Sequence, residues 1–261
     1  MKSLKNWLLV LSVLSCFGCS SPVHEDGRGC AFVSDSIQYR VEFMSEGCVR
    51  ILSFPEGDTL VTKRLVVDSE KPAFKDYKWK DTGQQLIFST RELSVVFDKE
   101  DAAFTFQEVS TGKLLLKEKE AKKARHFKRS VAGGEQCLEV TQRFVPTDDE
   151  AIYGLGQYQN GIMNYRGKSV LLLQANMDIV NPFLISTNGY GILWDNYSST
   201  KFEDTKEGYS FTSEVGDASD YYFVYGKNMD EVVAGYRELT GDVPMFGKWV
   251  YGFWQSKERY K

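Results

Sequence analysis

The chain has 261 residues, of which 42% are apolar, 14% aromatic and 26% charged. That mixture supplies a hydrophobic core and excludes wholesale disorder. With 32 basic against 36 acidic side chains the net charge is −4, which argues against nucleic acid as a partner, because that partner calls for a clearly basic face. Length alone allows one large all-β domain or two smaller ones.

At the front, Lys2 and Lys5 precede the apolar run Trp7 to Leu14. The run is too short for the roughly 20 residues that span a bilayer. A small residue before a cysteine, Gly18-Cys19, then looks like the lipobox of a bacterial lipoprotein. On this reading residues 1–18 are a signal peptide and Cys19 is acylated as the new N-terminus. The lipid anchors the protein to a membrane of the bacterial cell envelope. Ser15-Cys16 fits the same pattern, and an ordinary secretory signal is the plainer alternative. Residues 19–35 are polar and read as a tether. Of the five cysteines, two lie in the signal. Cys30, Cys48 and Cys137 are widely spaced, without a C-x-x-C or a histidine pattern, so no metal site is expected. One disulfide among the three is open in an exported protein.

From residue 36 onward the chain reads as strands. Ile37 to Phe43 alternates apolar and polar, the period of a half-buried strand. Val49 to Phe54, Leu60 to Val67, Gln85 to Ser89, Leu93 to Phe97, Phe104 to Phe106 and Leu114 to Leu116 follow. Residues 117–129 are rich in charge and read as a solvated edge or loop, where basic side chains also discourage sheet-to-sheet association. A second block holds strands at Ser169 to Leu173, Phe183 to Thr187, Gly191 to Trp194 and Tyr221 to Tyr225. Asn188-Gly189 marks a tight turn inside it. Many short strands at close spacing indicate an all-β antiparallel sandwich. One helix is predicted over 229–240, with Asn228 and Glu231 as a capping box, an apolar stripe of Val232, Val233, Tyr236 and Leu239, and Gly241 as the stop.

Three segments taken in order carry a resemblance. They are Tyr153-Gly154-Leu155-Gly156-Gln157; Pro182 through Gly189-Tyr190-Gly191 to Trp194-Asp195-Asn196; and Met229 through Gly241 and Pro244 to Lys248-Trp249-Val250-Tyr251-Gly252-Phe253-Trp254-Gln255. In this spacing the chain resembles the N-terminal part of glycoside hydrolase family 31, the α-glucosidase and α-xylosidase family. The resemblance is close over about 150–261 and looser back to 36.

The resemblance implies a galactose-mutarotase-like sandwich over 36–246 that leads through the helix into a (β/α)8 barrel. Residues 247–261 would begin that barrel, with Lys248 to Trp254 as its first strand. A barrel of this kind takes about 250 residues. The two carboxylates of a retaining glycosidase, about 5–5.5 Å apart, belong to the family's downstream segments, so no catalytic residue is assigned here. The chain therefore reads as an N-terminal fragment, inactive alone, whose partner is the missing barrel domain. Neither a metal nor an organic cofactor is implied, and the expected ligand is an oligosaccharide.

The resemblance also places a family loop that helps shape the sugar pocket at Gln174 to Asn181. Amide and carboxylate groups suit vicinal hydroxyls, so Asn176 and Asp178 are candidate substrate contacts. The plainer alternative is that they build turns through their own side chains. Trp254 and Gln255 would stand at the end of the first barrel strand, with the indole as a stacking wall or as filler of the barrel top. Three further readings remain: a stand-alone carbohydrate-binding surface lipoprotein, an envelope protein of purely structural role, and a sugar epimerase. The last is disfavoured because its acid–base work needs a histidine, and only His24 and His126 exist, in the tether and in the charged run.

Overall fold

The computed structural model describes residues 23–58, 65–68, 72–120 and 126–255. The signal segment with Cys16 and Cys19 lies outside them, as does most of the strand expected over Leu60 to Val67. The described part of that strand, residues 65–67, is a bend.

The chain opens with an antiparallel run of β1 (His24–Glu25), β2 (Cys30–Ser34), β3 (Ile37–Phe43) and β4 (Cys48–Pro55). It crosses to a second layer for β5 (Lys78–Asp81), β6 (Gln85–Ser89), β7 (Leu93–Asp98), β8 (Ala103–Glu108) and β9 (Leu114–Glu118), followed by β10 (Phe127–Ala132) and β11 (Glu135–Val145). It then alternates between layers through β12 (Ile152–Gln157), β13 (Ser169–Leu172), β14 (Ile179–Ser186), β15 (Tyr190–Trp194), β16 (Thr200–Thr205), β17 (Gly208–Gly216) and β18 (Ser219–Tyr225). The first sheet runs β1-β2-β3-β4-β18-β15-β14-β12. The second runs β13-β16-β17-β11-β9-β8-β7-β6-β5, with β10 paired to β11. All strand pairs are antiparallel, so the expected sandwich is present.

The sandwich starts earlier than the sequence reading placed it. Cys30, Phe32 and Ser34 are buried on one face of β2 while Ala31 and Val33 alternate outward. That period of two makes residues 30–34 a sheet strand rather than a tether. In the charged run, Lys128 and Arg129 are exposed on β10 as expected, but Glu118 at the end of β9 is buried. The strands β1, β2, β5, β10, β11, β12, β16 and β17 were not foreseen.

The core between the sheets is aromatic. Phe106 on the second sheet lies flat on Phe223 of the first, with centroids 4.1 Å apart and planes within 7°. Trp194 is fully buried, stacks on Phe211, and donates its indole N–H to Ser213 Oγ at 2.9 Å. Buried Tyr and Trp need such partners for their polar ends.

The Asn188-Gly189 turn joins β14 to β15, but as a three-residue loop, since Ser186 pairs with Tyr190. Only Gly189 takes a positive φ, of 89°, the geometry of a type I turn closed by a left-handed residue. Helix α1 (Met229–Thr240) has the predicted bounds. Asn228 Oδ1 accepts from Glu231 N at 2.9 Å, and Glu231 Oε2 in turn accepts from Lys227 N. Its Val232 and Leu239 pack with Phe183, Leu193, Tyr222 and Val224 on the outer face of the first sheet.

Next to the helix, that outer face carries a row of charges. Arg50 Nε donates to Asp220 Oδ1 at 2.8 Å, and Nη2 donates to Oδ2. Arg50 Nη1 donates to Glu42 Oε2 at 3.0 Å, and Arg40 Nε to Glu42 Oε1 at 2.7 Å. Arg40 also pairs with Asp26.

Lys248–Tyr251, expected as a barrel strand, is instead a turn of 3-10 helix. A parallel barrel strand takes its hydrogen bonds from two flanking strands. Here Val250 N finds Gly247 O three residues back, at 3.0 Å.

Candidate functional site

The candidate loop joins β13 to β14, and its shape originates one strand away, in β12. Gly154, Leu155 and Gly156 have φ of 99°, 66° and 120°. This kink shifts the register against β14, so that Gly154 faces Leu184 and Gly156 faces Val180. Three residues of β14, Asn181, Pro182 and Phe183, thus bulge opposite one residue of β12. A Cβ on Gly156 would lie 2.1 Å from Ile179 O, and one on Gly154 would lie 2.5 Å from Phe183 O. The Tyr-Gly-Leu-Gly-Gln motif is therefore a backbone device, with glycine required by both conformation and space.

The bulge reaches helix α1. Phe183 stacks on Tyr236 with centroids 4.2 Å apart, and Tyr236 OH donates to Asn181 Oδ1 at 3.3 Å. At the other end, Gln174 closes the loop with both ends of its amide: Nε2 donates to Asp178 O at 2.6 Å and Oε1 accepts from Val180 N at 3.2 Å. Inside this clamp Met177 has a φ of 70°.

Asn176 is exposed and Asp178 half-buried. Neither side chain makes a hydrogen bond within the described residues; the turn is closed by Gln174 and by Asp178 N donating to Ala175 O. Tyr158 lies near enough to feel Asp178. Its hydroxyl is pushed up to about 12, chiefly by burial, with Tyr165 and Asp178 adding to the effect. It donates to Leu155 O at 2.9 Å, which ties the kink to the same corner.

Trp254 and Gln255 follow the 3-10 turn and are exposed. Trp254 Nε1 donates to Val250 O at 2.7 Å, and its ring lies 6.0 Å from that of Trp249. No hydrogen bond or ring contact among the described residues joins this pair to Asn176 or Asp178. The last turn is notably apolar at its surface: Met245, Phe246, Trp249, Tyr251, Phe253 and Trp254 are all exposed, Phe253 to 92%.

Two buried acids lie deeper. Glu118 Oε1 accepts from Tyr221 OH at 2.6 Å and Gln142 Nε2 at 2.8 Å, and Oε2 accepts from Phe104 N at 2.8 Å. Burial pushes its carboxyl up to about 7, against those hydrogen bonds. Glu150 accepts from Tyr190 OH at 2.8 Å and Ser186 Oγ at 3.1 Å. Both acids are saturated by the sandwich itself and are inaccessible to a substrate. The backbone of His126 is held through its carbonyl, which accepts from Thr141 N, while its buried Nδ1 has no hydrogen-bond partner among the described residues. Among the described residues, no group of three or more His, Cys, Asp or Glu is arranged to hold a metal ion. Cys30, Cys48 and Cys137 form no disulfide with one another.

Residues 38–203 match the model of the glycosyl hydrolase 31 N-terminal galactose mutarotase-like domain. The chain belongs to this family. It is 36% identical over 241 residues to an α-xylosidase of Saccharolobus solfataricus, an alignment covering 87% of this chain and 31% of that enzyme. It is 28% identical over 250 residues to α-glucosidase 2 of Bacillus thermoamyloliquefaciens, covering 88% of this chain and 30% of the relative. The fold matches that of a family 31 α-xylosidase from Xanthomonas citri with a TM-score of 0.79 at 23% identity, over 91% of this chain and 42% of that one. The chain therefore spans about a third of the length of these two curated relatives.

Proposed function

We propose that this chain is the N-terminal sandwich of a retaining α-glycosidase acting on α-xylosides, and that it supplies one wall of the sugar pocket without performing the chemistry. The observation that carries the reading is the clamped β13–β14 loop. Gln174 satisfies the backbone, and this leaves the Asn176 amide and the Asp178 carboxylate for hydroxyl groups of a ligand. The substrate class rests on the 36% identity to an α-xylosidase.

The apolar surface from Met245 to Trp254 supports a second role. A patch of this kind marks an interaction face, and a catalytic barrel is the partner that the relatives' extra length supplies. Against it Trp254 and Gln255 would turn toward the sugar.

A chimera joining this chain to the remaining length of the Saccharolobus solfataricus α-xylosidase tests the reading. Hydrolysis of a chromogenic α-xyloside is expected from the chimera and not from the 261-residue chain. Asn176→Ala with Asp178→Ala should raise KM; an unchanged KM removes the loop from the pocket. Anchoring through Cys19 in the cell envelope is part of the same proposal. Loss of membrane fractionation in Cys19→Ala would support it, and retention would not.

A further inference from the structure

A groove of about 800 Å³ lies on the outer face of the first sheet, over β2, β3 and β4. It is separate from the β13–β14 loop, which arrives from the second sheet and enters β14, three strands from β4. Its floor follows from strand alternation. Phe32, Tyr39, Val41 and Ile51 point into the core, so their neighbours point outward. Two cross-strand rows result: Ala31, Arg40 and Leu52 in one, Val33, Gln38 and Phe54 in the next.

We propose that this groove is a second carbohydrate site, binding a neutral oligosaccharide independently of any catalytic barrel. Three observations favour that ligand class. The volume falls within the roughly 300–1,000 Å³ of small-molecule sites. The floor pairs apolar surface (Ala31, Val33 and the half-exposed Phe54 ring, above buried Leu52) with hydrogen-bonding groups at one edge, which suits the two faces of a pyranose. The polar edge is also preorganised and internally neutralised. Arg40 is held by Glu42 and Asp26, and Glu42 is held in turn by buried Arg50. An ionic ligand would have to compete with these pairs, whereas a hydroxyl need not. Arg40 Nη1 and the Gln38 amide make no hydrogen bond within the described residues and supply donors and an acceptor for such hydroxyls. This site does not depend on the reading of Asn176 and Asp178.

Calorimetric titration of the 261-residue chain with xyloglucan-derived and malto-oligosaccharides tests the proposal. Saturable binding is expected. Phe54→Ala should weaken it about tenfold through loss of ring stacking. Gln38→Ala should also weaken it, and because Gln38 is partly exposed and unbonded, that variant is expected to stay folded. Asn176→Ala with Asp178→Ala should leave a saturable phase that Phe54→Ala removes. The proposal is overturned by absence of saturable binding, by binding that only the loop variant abolishes, or by binding confined to an acidic oligosaccharide such as oligogalacturonate.

Discussion

Arg50 and Asp220 form a bidentate ion pair, 170 positions apart in sequence and buried at the centre of the first sheet. Each belongs to one of the two central strands, so the pair fixes the register of β4 against β18. Removing Asp220 takes the bidentate partner from buried Arg50 and leaves it paired with Glu42 alone. Asp220→Ala should cost about 3–5 kcal/mol, read from urea denaturation. The double variant Arg50→Met with Asp220→Leu should be far closer to wild type. A double variant as unstable as the single one would mean that the pair itself, and not the orphaned charge, carries the stability.

Glycine-to-alanine changes should separate conformational strain from steric conflict. Gly156→Ala meets both, with a φ of 120° and a carbonyl 2.1 Å from the new Cβ. Gly133→Ala meets only the first, since φ is 59° and nothing lies within 4 Å. The expected losses are about 2 kcal/mol or more at Gly156 and about 1 kcal/mol at Gly133. Equal losses would show that the kink in β12 relaxes freely.

Glu118 and His126 should impose opposite pH slopes on stability. Burial raises Glu118 from 4.5 to about 7, so its contribution is full below 4.5 and is lost as pH rises through 7. Burial lowers His126 from 6.5 to about 4, so its contribution is full above 6.5 and is lost as pH falls through 4. Between pH 4.5 and 6.5 the two offset each other. Glu118→Gln should therefore make stability climb more steeply with pH across that window than wild type does. His126→Gln should make it decline. Parallel curves for all three proteins would rule out these buried titrations.

Asn228→Ala should destabilise the domain by about 1 kcal/mol by removing the helix cap. Glu231→Gln, which keeps a hydrogen-bonding side chain at the third helical position, should cost less. Thermal melts followed by circular dichroism distinguish them.

Sequence pattern was most legible where one physical rule acted alone. Helix α1 was readable to the residue because Asn228, its apolar stripe and Gly241 all act locally. Strands β6 and β7 were readable because each buries every second side chain, and β3 because its apolar residues alternate along the sequence. Strand β11 was missed although Leu138, Val140, Gln142 and Phe144 alternate in it; the preceding charged run obscured its start. Glu118 was placed in solvent because two of its partners, Tyr221 and Gln142, come from strands distant in sequence. The clamp by Gln174 had the same character. An amide in a polar loop gives no sign that both its ends will close on Asp178 and Val180. The 3-10 turn at Lys248–Tyr251 departed from expectation because a strand needs neighbours that a local pattern cannot supply.

The pairing of β4 with β18 also orders events during synthesis. Strands β1 to β4 leave the ribosome first and can pair among themselves, while the far edge of β4 stays bare. Its proper neighbour follows 170 positions later, roughly ten to thirty seconds at about 5–20 residues per second. The meander β5 to β9 forms from near neighbours in the meantime. Closing the first sheet is thus the last and slowest step, since distant pairing must overcome loop entropy before it gains contacts. Until then the nascent chain presents an unpaired strand edge beside Val49 and Ile51, and that is the interval in which a chaperone would matter most.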